Sequence, residues 1–251
     1  MNCSAIADRL YAAAESFQDE WEAHDVPSPS SVWKCRKALW YIGKRIPRSN
    51  RIPVRSIKTM ERGKQAESFW HRVFAKAGFT VLILAGGSRI DIGSMTGEFD
   101  AFLIDKETGE RYILELKDMG GWGYMKAVQE GIQSAEPDYY AQVQQYMAGF
   151  GLSKCIFVAG LADPSTTVWL WQKIKKLPGR PPDFHVEVID FVPSEWAKAE
   201  ARADEVIALL QVDTPPAPDF DPLEGKFPCG SDEQPYCGHR DICLGRATWK
   251  S

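Results

Sequence analysis

Asp100, Glu115 and Lys117 are the residues whose types and spacing point most clearly to chemistry. They lie in two segments, 97–104 and 112–117, that alternate apolar and polar residues as half-buried strands do. The polar, glycine-containing stretch 106–110 between them predicts a hairpin. Glu115 and Lys117 are two residues apart and so share one sheet face. Two carboxylates beside an ammonium group suit a divalent cation, a water and a phosphate, which is the equipment for phosphodiester hydrolysis. Oxygen ligands favour Mg²⁺ or Mn²⁺. Asp100 and Glu115 are the expected metal ligands, the Leu116 carbonyl a further one, and Lys117 the group that orients water or stabilises developing charge. The plainer alternative is an exposed hairpin with a surface Glu–Lys pair.

The segments on either side supply further candidates. Gln142 and Tyr146 are four apart on a helix expected over 138–150, so they share a face and can reach phosphate or a metal-bound water. Upstream, Glu67 is a candidate third ligand, with His71 one turn further on competing for that role and Asp91 a weaker candidate. A helical Glu or His facing solvent is the plainer reading.

Charge is uneven along the chain. The net charge is −4, yet residues 34–76 hold thirteen Lys or Arg against Glu61 and Glu67, a local balance of +11. Trp33, Trp40, Tyr41, Phe69 and Trp70 are interleaved with these cations. Such a block can neutralise a phosphate backbone and stack on bases, although a solvated helical face has a similar composition. Arg36, Lys37, Arg45, Arg51, Arg55, Lys58, Arg62 and Lys64 are the candidate DNA-binding residues.

The elements that must position these groups read as a mixed α/β core with a central sheet. Amphipathic spacing predicts a helix over 4–24, a short helix over 31–43 and a longer one over 58–77. Strands are expected over 80–85, 155–159, 168–171 and 186–191, a glycine-rich turn over 120–123, and a helix over 194–211. Residues 213–228, with five prolines, read as an irregular connector. No stretch has the eighteen or so apolar residues of a membrane span, and residues 1–8 do not resemble a secretory signal, so a cytosolic setting is expected.

Six cysteines are present, and Cys229, Cys237 and Cys243 lie close together in sequence. A four-cysteine site needs one more, for which Cys35 is the best candidate; Cys155 sits in an apolar strand and Cys3 near the terminus. No Cys-x-x-Cys pair occurs, so the spacing is not that of a zinc finger.

Taken together, Gly97-x-x-Asp100, Glu115-Leu116-Lys117 and Gln142-x-x-x-Tyr146 resemble the PD-(D/E)XK nuclease superfamily in its RecB-like branch, over roughly residues 60–150. Glu67 stands where many RecB-like members have a histidine, which is similar to lambda-type phage exonucleases. One cysteine before the core and three after it resemble the iron–sulfur nucleases, both AddB-type and CRISPR-associated. The resemblance implies a restriction-endonuclease-like α/β fold, a central mixed sheet flanked by helices, with the chain ends joined by a [4Fe–4S] cluster on Cys35, Cys229, Cys237 and Cys243. Zinc in that pocket is the metal alternative and unligated core cysteines the plainer one; His239 is a further ligand candidate, with a surface role its plainer reading. It further implies one nuclease domain over 1–251, with a catalytic core at about 58–192 and cluster-binding flanks at 31–57 and 213–251. The expected activity is a Mg²⁺- or Mn²⁺-dependent DNA exonuclease acting on single strands or ends, in recombination, repair or phage DNA processing. A homo-oligomer, or a partner from recombination or CRISPR adaptation, fits the same picture, as does a host cytoplasm if the chain is phage-encoded. The rivals are a catalytically silent DNA-binding subunit and a restriction-type endonuclease.

Overall fold

The computed structural model describes residues 6, 9, 10, 12, 13, 27–50, 54–83, 89–162, 164–221, 229 and 237–248, with backbone only for Arg55. The chain divides into two compact units, one formed by Gly63–Ala201 and the other by Met1–Arg62 with Arg202–Ser251. Two helices, α2 (Val54–Lys76) and α7 (Pro193–Leu210), contribute residues to both.

In the Gly63–Ala201 unit a five-stranded sheet has the order β1 (Phe79–Leu82), β4 (Ala101–Asp105), β5 (Arg111–Met119), β6 (Lys154–Leu161), β7 (Phe184–Asp190). Only β5 and β6 run parallel; the other neighbours are antiparallel, so the sheet is mixed. A parallel pair needs a long crossover. Here α3 (Gly121–Glu130), α4 (Ile132–Ala135) and α5 (Pro137–Phe150) supply it. Proline occupies the first turn of α5, and Gly151 ends it in the left-handed region at φ 63°.

Period-two alternation sorts β5 between two cores. Ile113 and Met119 join Tyr124, Val143, Tyr146 and Phe157 on the α3–α5 face. Leu114 packs on the other face with Ala101, Leu103, Ile156 and, from α2, Phe74 and Trp70. A separate hairpin, β2 (Arg89–Ile92) with β3 (Met95–Glu98), lies on α5. Its Ile92 comes so near the helix that a Cβ on Gly149 would stand 2.6 Å from Ile92 Cγ1.

Four expectations differ from the structure. Residues 97–104 are not one strand: Gly97 and Glu98 pair within the β2–β3 hairpin, and the ladder of β4 starts at Ala101, so Phe99 and Asp100 form a joint. Residues 168–171 are helical, in α6 (Pro164–Trp169) and the π-helix Leu170–Ile174. A short apolar run does not discriminate strand from helix, and here Thr167 and Leu170 are buried at helical spacing while Trp169 faces out. Gly121 and Gly123 open α3 rather than forming a turn. The helix expected from 31 begins at Arg36, because Ser28 and Ser31 close a turn of their own, with Ser28 N–H donating to Ser31 Oγ at 3.1 Å. Residues 6, 9, 10, 12 and 13 are helical; the rest of the helix expected over 4–24, residues 84 and 85 of the strand expected over 80–85, and residues 222–228 of the connector lie outside the described residues.

In the other unit, α1 (Arg36–Gly43) buries Leu39, Trp40 and Tyr41. Trp40 and Tyr41 pack with Ile242 of α8 (Arg240–Cys243) and with Leu210. Trp40 Nε1 donates to the Val212 carbonyl at 3.0 Å. No helix among the described residues is long and apolar enough to cross a membrane.

Candidate active site and cysteine pocket

The joint at Phe99–Asp100 matters because it frees Asp100 from the ladder and turns it onto the neighbouring strand. Its Oδ2 accepts the Leu116 N–H at 2.5 Å. On β5 the pleat then sets Glu115 and Lys117 on one face, where the Lys117 ammonium ion-pairs with Glu115 Oε1. Glu115 is 1% exposed, and beyond this ion pair its carboxylate has no partner, which leaves Oε2 unsatisfied. Lys117 Nζ also sits 5.4 Å from the centre of the Tyr139 ring, a cation–π distance.

Electrostatics shows which side chains share this site. Burial raises the Glu67 carboxyl; Asp100 adds to the rise, and Lys117 and Lys64 offset only part of it. Asp100 is raised by burial against the opposing pull of Lys117, the Leu116 N–H and His71. Glu115 is raised by burial too, with Lys117 opposing and Asp100 and Glu67 reinforcing. For Lys117 burial works against the charge, but Glu115 and Asp100 outweigh it and hold the ammonium protonated well above its ordinary range. One buried and two partly buried carboxylates that repel one another, around one cation, make a site that gains from additional positive charge.

Glu67, Asp100, Glu115 and Lys117 are thus brought together, and His71 lies beside Asp100 with its buried Nε2 lacking a hydrogen-bond partner. Gln142 and Tyr146 are buried next to the group, and Gln142 Nε2 donates to the Tyr146 hydroxyl at 3.0 Å. That hydroxyl in turn donates to the Glu98 carbonyl. As they stand, the two brace the β3–β4 joint. Leu116 gives its N–H to Asp100. Asp91 accepts from Thr96 Oγ1 at 2.8 Å across the hairpin and stays out of the group. Tyr139 was not anticipated, although its place one turn before Gln142 on α5 was visible in the sequence.

Of the basic candidates, Lys58, Arg62 and Lys64 are exposed on α2 and Arg45 is exposed beyond α1. Arg36 is engaged within its own unit, forking to Asp219 at 2.5 Å and Glu205 at 2.8 Å. Lys37 hydrogen-bonds the Cys243 thiol. Arg51 and the Arg55 side chain lie outside the described residues.

A second site lies in the Met1–Arg62 and Arg202–Ser251 unit. Cys35, at the N-cap of α1, and Cys229, Cys237 and Cys243 line one cavity of about 170 Å³, with Lys34, Lys37, Arg48 and Arg240 also on its wall. Burial pushes the Cys229 thiol up to about 11, and Cys237, Cys35 and Cys243 each add to the rise, as expected of neighbouring thiols. His239 packs on Tyr41 at 5.3 Å and its Nε2 contacts the Ile46 carbonyl at 2.9 Å, which occupies that nitrogen. Cys155 is fully buried in β6, in the other unit. Among the described residues, no three His, Cys, Asp or Glu side chains stand so as to hold a metal ion. Both sites nevertheless have donor sets suited to cations: hard oxygens in one, soft sulfurs in the other.

No protein-family model and no curated protein matches the sequence. Among solved structures, LHK-Exo in complex with dAMP is similar to this chain, with a TM-score of 0.51 at 18% identity over 81% of this chain and 92% of that one. That likeness shows a shared fold. The alkaline exonuclease LHK-Exo from Laribacter hongkongensis also matches in another structure, with a TM-score of 0.45 at 20% identity over 61% of this chain and 69% of that one. SSO0001 matches with a TM-score of 0.49 at 16% identity over 97% of this chain and 98% of that one.

Proposed function

We propose that the chain is a Mg²⁺- or Mn²⁺-dependent DNA exonuclease acting on single-stranded DNA or DNA ends. The observation that carries this reading is the gathering of Glu67, Asp100 and Glu115 around Lys117, on a fold shared with an exonuclease. When bound, a divalent ion lowers the pKa of a coordinated water and neutralises charge on the phosphate. Glu67, Asp100 and Glu115 would hold it, with the Leu116 carbonyl as a further donor. The unsatisfied Glu115 Oε2 supports this ligand set. Lys117, held cationic by Glu115 and Asp100, would orient the water or meet charge developing on the phosphate. Gln142 and Tyr146 keep the Asp100 joint in place and border the substrate. The exposed cations on α2, Lys58, Arg62 and Lys64, serve the DNA backbone, as do Arg45, Arg51 and Arg55.

We also propose that Cys35, Cys229, Cys237 and Cys243 hold a [4Fe–4S] cluster. The shared cavity and the rise that the neighbouring thiols impose on Cys229 support it, and the basic wall suits an anionic cluster. Zinc is the second reading of the same sulfurs. A brown protein with four irons, rather than a colourless one with zinc, separates the two.

End-labelled linear DNA incubated with Mg²⁺ or Mn²⁺ tests the activity. Wild type degrades it and Lys117→Ala does not; equal degradation by both removes the assignment. Closed circular DNA stays intact for an exonuclease and is cut by an endonuclease of the restriction type. A protein that binds DNA without degrading it under any metal condition is the silent subunit.

A further inference from the structure

Residues 164–182 form a second basic and aromatic element in the Gly63–Ala201 unit, outside the basic block at 34–76. They carry Lys173, Lys175, Lys176 and Arg180 and contain no Asp or Glu. Trp169, at the end of α6, is 54% exposed, and Ile174 is 45% exposed. An exposed indole of this size among cations, with no acid in the stretch, is not needed to fill a core.

The element is firmly built. Leu170–Ile174 is a π-helix, a form that is rare and concentrated at functional positions. Trp171 Nε1 donates to the Pro178 carbonyl at 3.1 Å and Gln172 Nε2 to the Gly179 carbonyl at 3.0 Å, so the following turn is folded back on the π-helix. Lys176, at φ 52°, takes the left-handed conformation that ends it. Tyr124 OH on α3 donates to the Pro182 carbonyl at 2.6 Å and ties the far end down. Trp169 and the lysines are therefore displayed on a fixed frame, so little ordering cost opposes binding.

Its place in the fold links it to the catalytic strand. The segment leaves the C-terminal end of β6, the parallel neighbour of β5, with Lys117 opposite Ala159 and Met119 opposite Leu161. The Ala162 N–H donates to the Met119 carbonyl at 3.1 Å. Gly121, two residues past β5, packs so closely on the segment that a Cβ would stand 2.9 Å from Thr167 Oγ1 and 3.0 Å from Leu170 Cδ1. In open α/β sheets ligands gather at the carboxyl ends of parallel strands.

We propose that residues 164–182 are a single-strand DNA platform, on which Trp169 stacks a base while Lys173, Lys175, Lys176 and Arg180 follow the phosphates. The chemistry favours a single strand, because exposed bases offer the flat faces that an indole stacks on, and a paired duplex buries them. This inference rests on the nuclease reading for its biological sense but is tested by binding alone.

The experiment uses the full chain in EDTA, where no cleavage occurs, and reads the anisotropy of a short fluorescein-labelled single strand. Trp169→Ala is expected to weaken binding roughly 5- to 150-fold, the range of one lost stack. Trp169→Phe should recover most of it. Lys175→Ala/Lys176→Ala should flatten the dependence of log K on log salt by about 1.4, since each phosphate contact to a single strand contributes about 0.7. Lys106→Ala, in the exposed β4–β5 turn, should change neither quantity. Binding by Trp169→Ala equal to wild type, or no single-strand binding by wild type, overturns the platform. Nuclease activity is measured separately with Mn²⁺. Variants that bind and degrade DNA like wild type remove the platform and leave the nuclease reading standing. A wild type that binds through Trp169 but never degrades DNA keeps the platform and removes the nuclease.

Discussion

Replacing Lys117 by methionine isolates the electrostatic logic of the site, because the side chain keeps its length and loses only its charge. In wild type the ammonium sits on Glu115, whose side chain is 1% exposed. Removing one member of a buried pair costs about 3–5 kcal/mol by leaving the other charge uncompensated. A quarter of the Lys117 side chain is exposed, so solvent screens part of the interaction and about 2–3 kcal/mol is the better expectation. For a chain of this size that lowers Tm by about 4–12 °C. The penalty has a defined pH dependence. Glu115 is already raised above its unfolded value of 4.5, and loss of Lys117 raises it further. Below pH 4.5 the carboxyl is neutral in both the folded and the unfolded state, so the penalty is small there. It grows as pH rises, because the unfolded chain ionises Glu115 and the folded mutant resists. Urea melts in EDTA at acidic and alkaline pH are the assay, with Glu115→Gln and the double variant completing a cycle. The double variant should recover most of the alkaline loss. A Lys117→Met penalty that is the same at both pH values, or a double variant no more stable than Lys117→Met, refutes the pairing.

Other consequences are more local. Gln144, fully buried on α5, donates to the Asp190 carbonyl at 2.9 Å and accepts the Val192 N–H at 2.7 Å; Gln144→Ala should cost about 2–3 kcal/mol in urea melts by leaving both backbone groups unpaired. Gly149→Ala should cost about 1–3 kcal/mol by forcing Ile92 off the helix, and Ile92→Ala in the same chain should relieve that clash. Arg36 and Arg202 hold Asp219 and Glu205 below their ordinary ranges. Their contribution is therefore present above the unfolded values of 3.8 and 4.5 and fades as pH falls below them, so Arg36→Met should lower Tm at neutral pH and much less near pH 3. Cys243→Ala should remove most of the iron and the brown colour from an anaerobic preparation; full retention removes Cys243 from the proposed ligand set.

Much of the site could be read from the sequence because it depends on spacing within single elements. Glu115 and Lys117 share a face through the two-residue pleat, and Gln142 and Tyr146 through the helical turn. What spacing could not supply was the break at Phe99–Asp100. Gly97 and Glu98 continue the alternation of β4, yet they pair with Arg89 and Ile90, and only that competing hairpin frees Asp100 to meet Leu116. Alternation over 89–92, the Gly93-Ser94 turn and the buried Ile92 and Met95 carried that signal. Residues 168–171 were misleading for a different reason: Val, Trp and Leu suit a strand, but the sheet edge beyond β6 is taken by β7, and the segment buries Thr167 and Leu170 by coiling. Arg36 shows the limit of composition. It adds to the basic block in sequence and is neutralised by Glu205 and Asp219, residues 169 and 183 positions away.

The central claim is that Glu67, Asp100 and Glu115 hold a divalent ion at which DNA is cut. The most direct measurement is nucleotide release from end-labelled linear DNA across a Mn²⁺ titration, for wild type and for Asp100→Asn. Wild type should be inactive without metal and gain activity over a saturable range of Mn²⁺. Asp100→Asn, which keeps the side chain's size but loses its charge, should stay inactive or need far more metal. An Asp100→Asn protein that releases nucleotides at the wild-type rate over the same Mn²⁺ range contradicts the account.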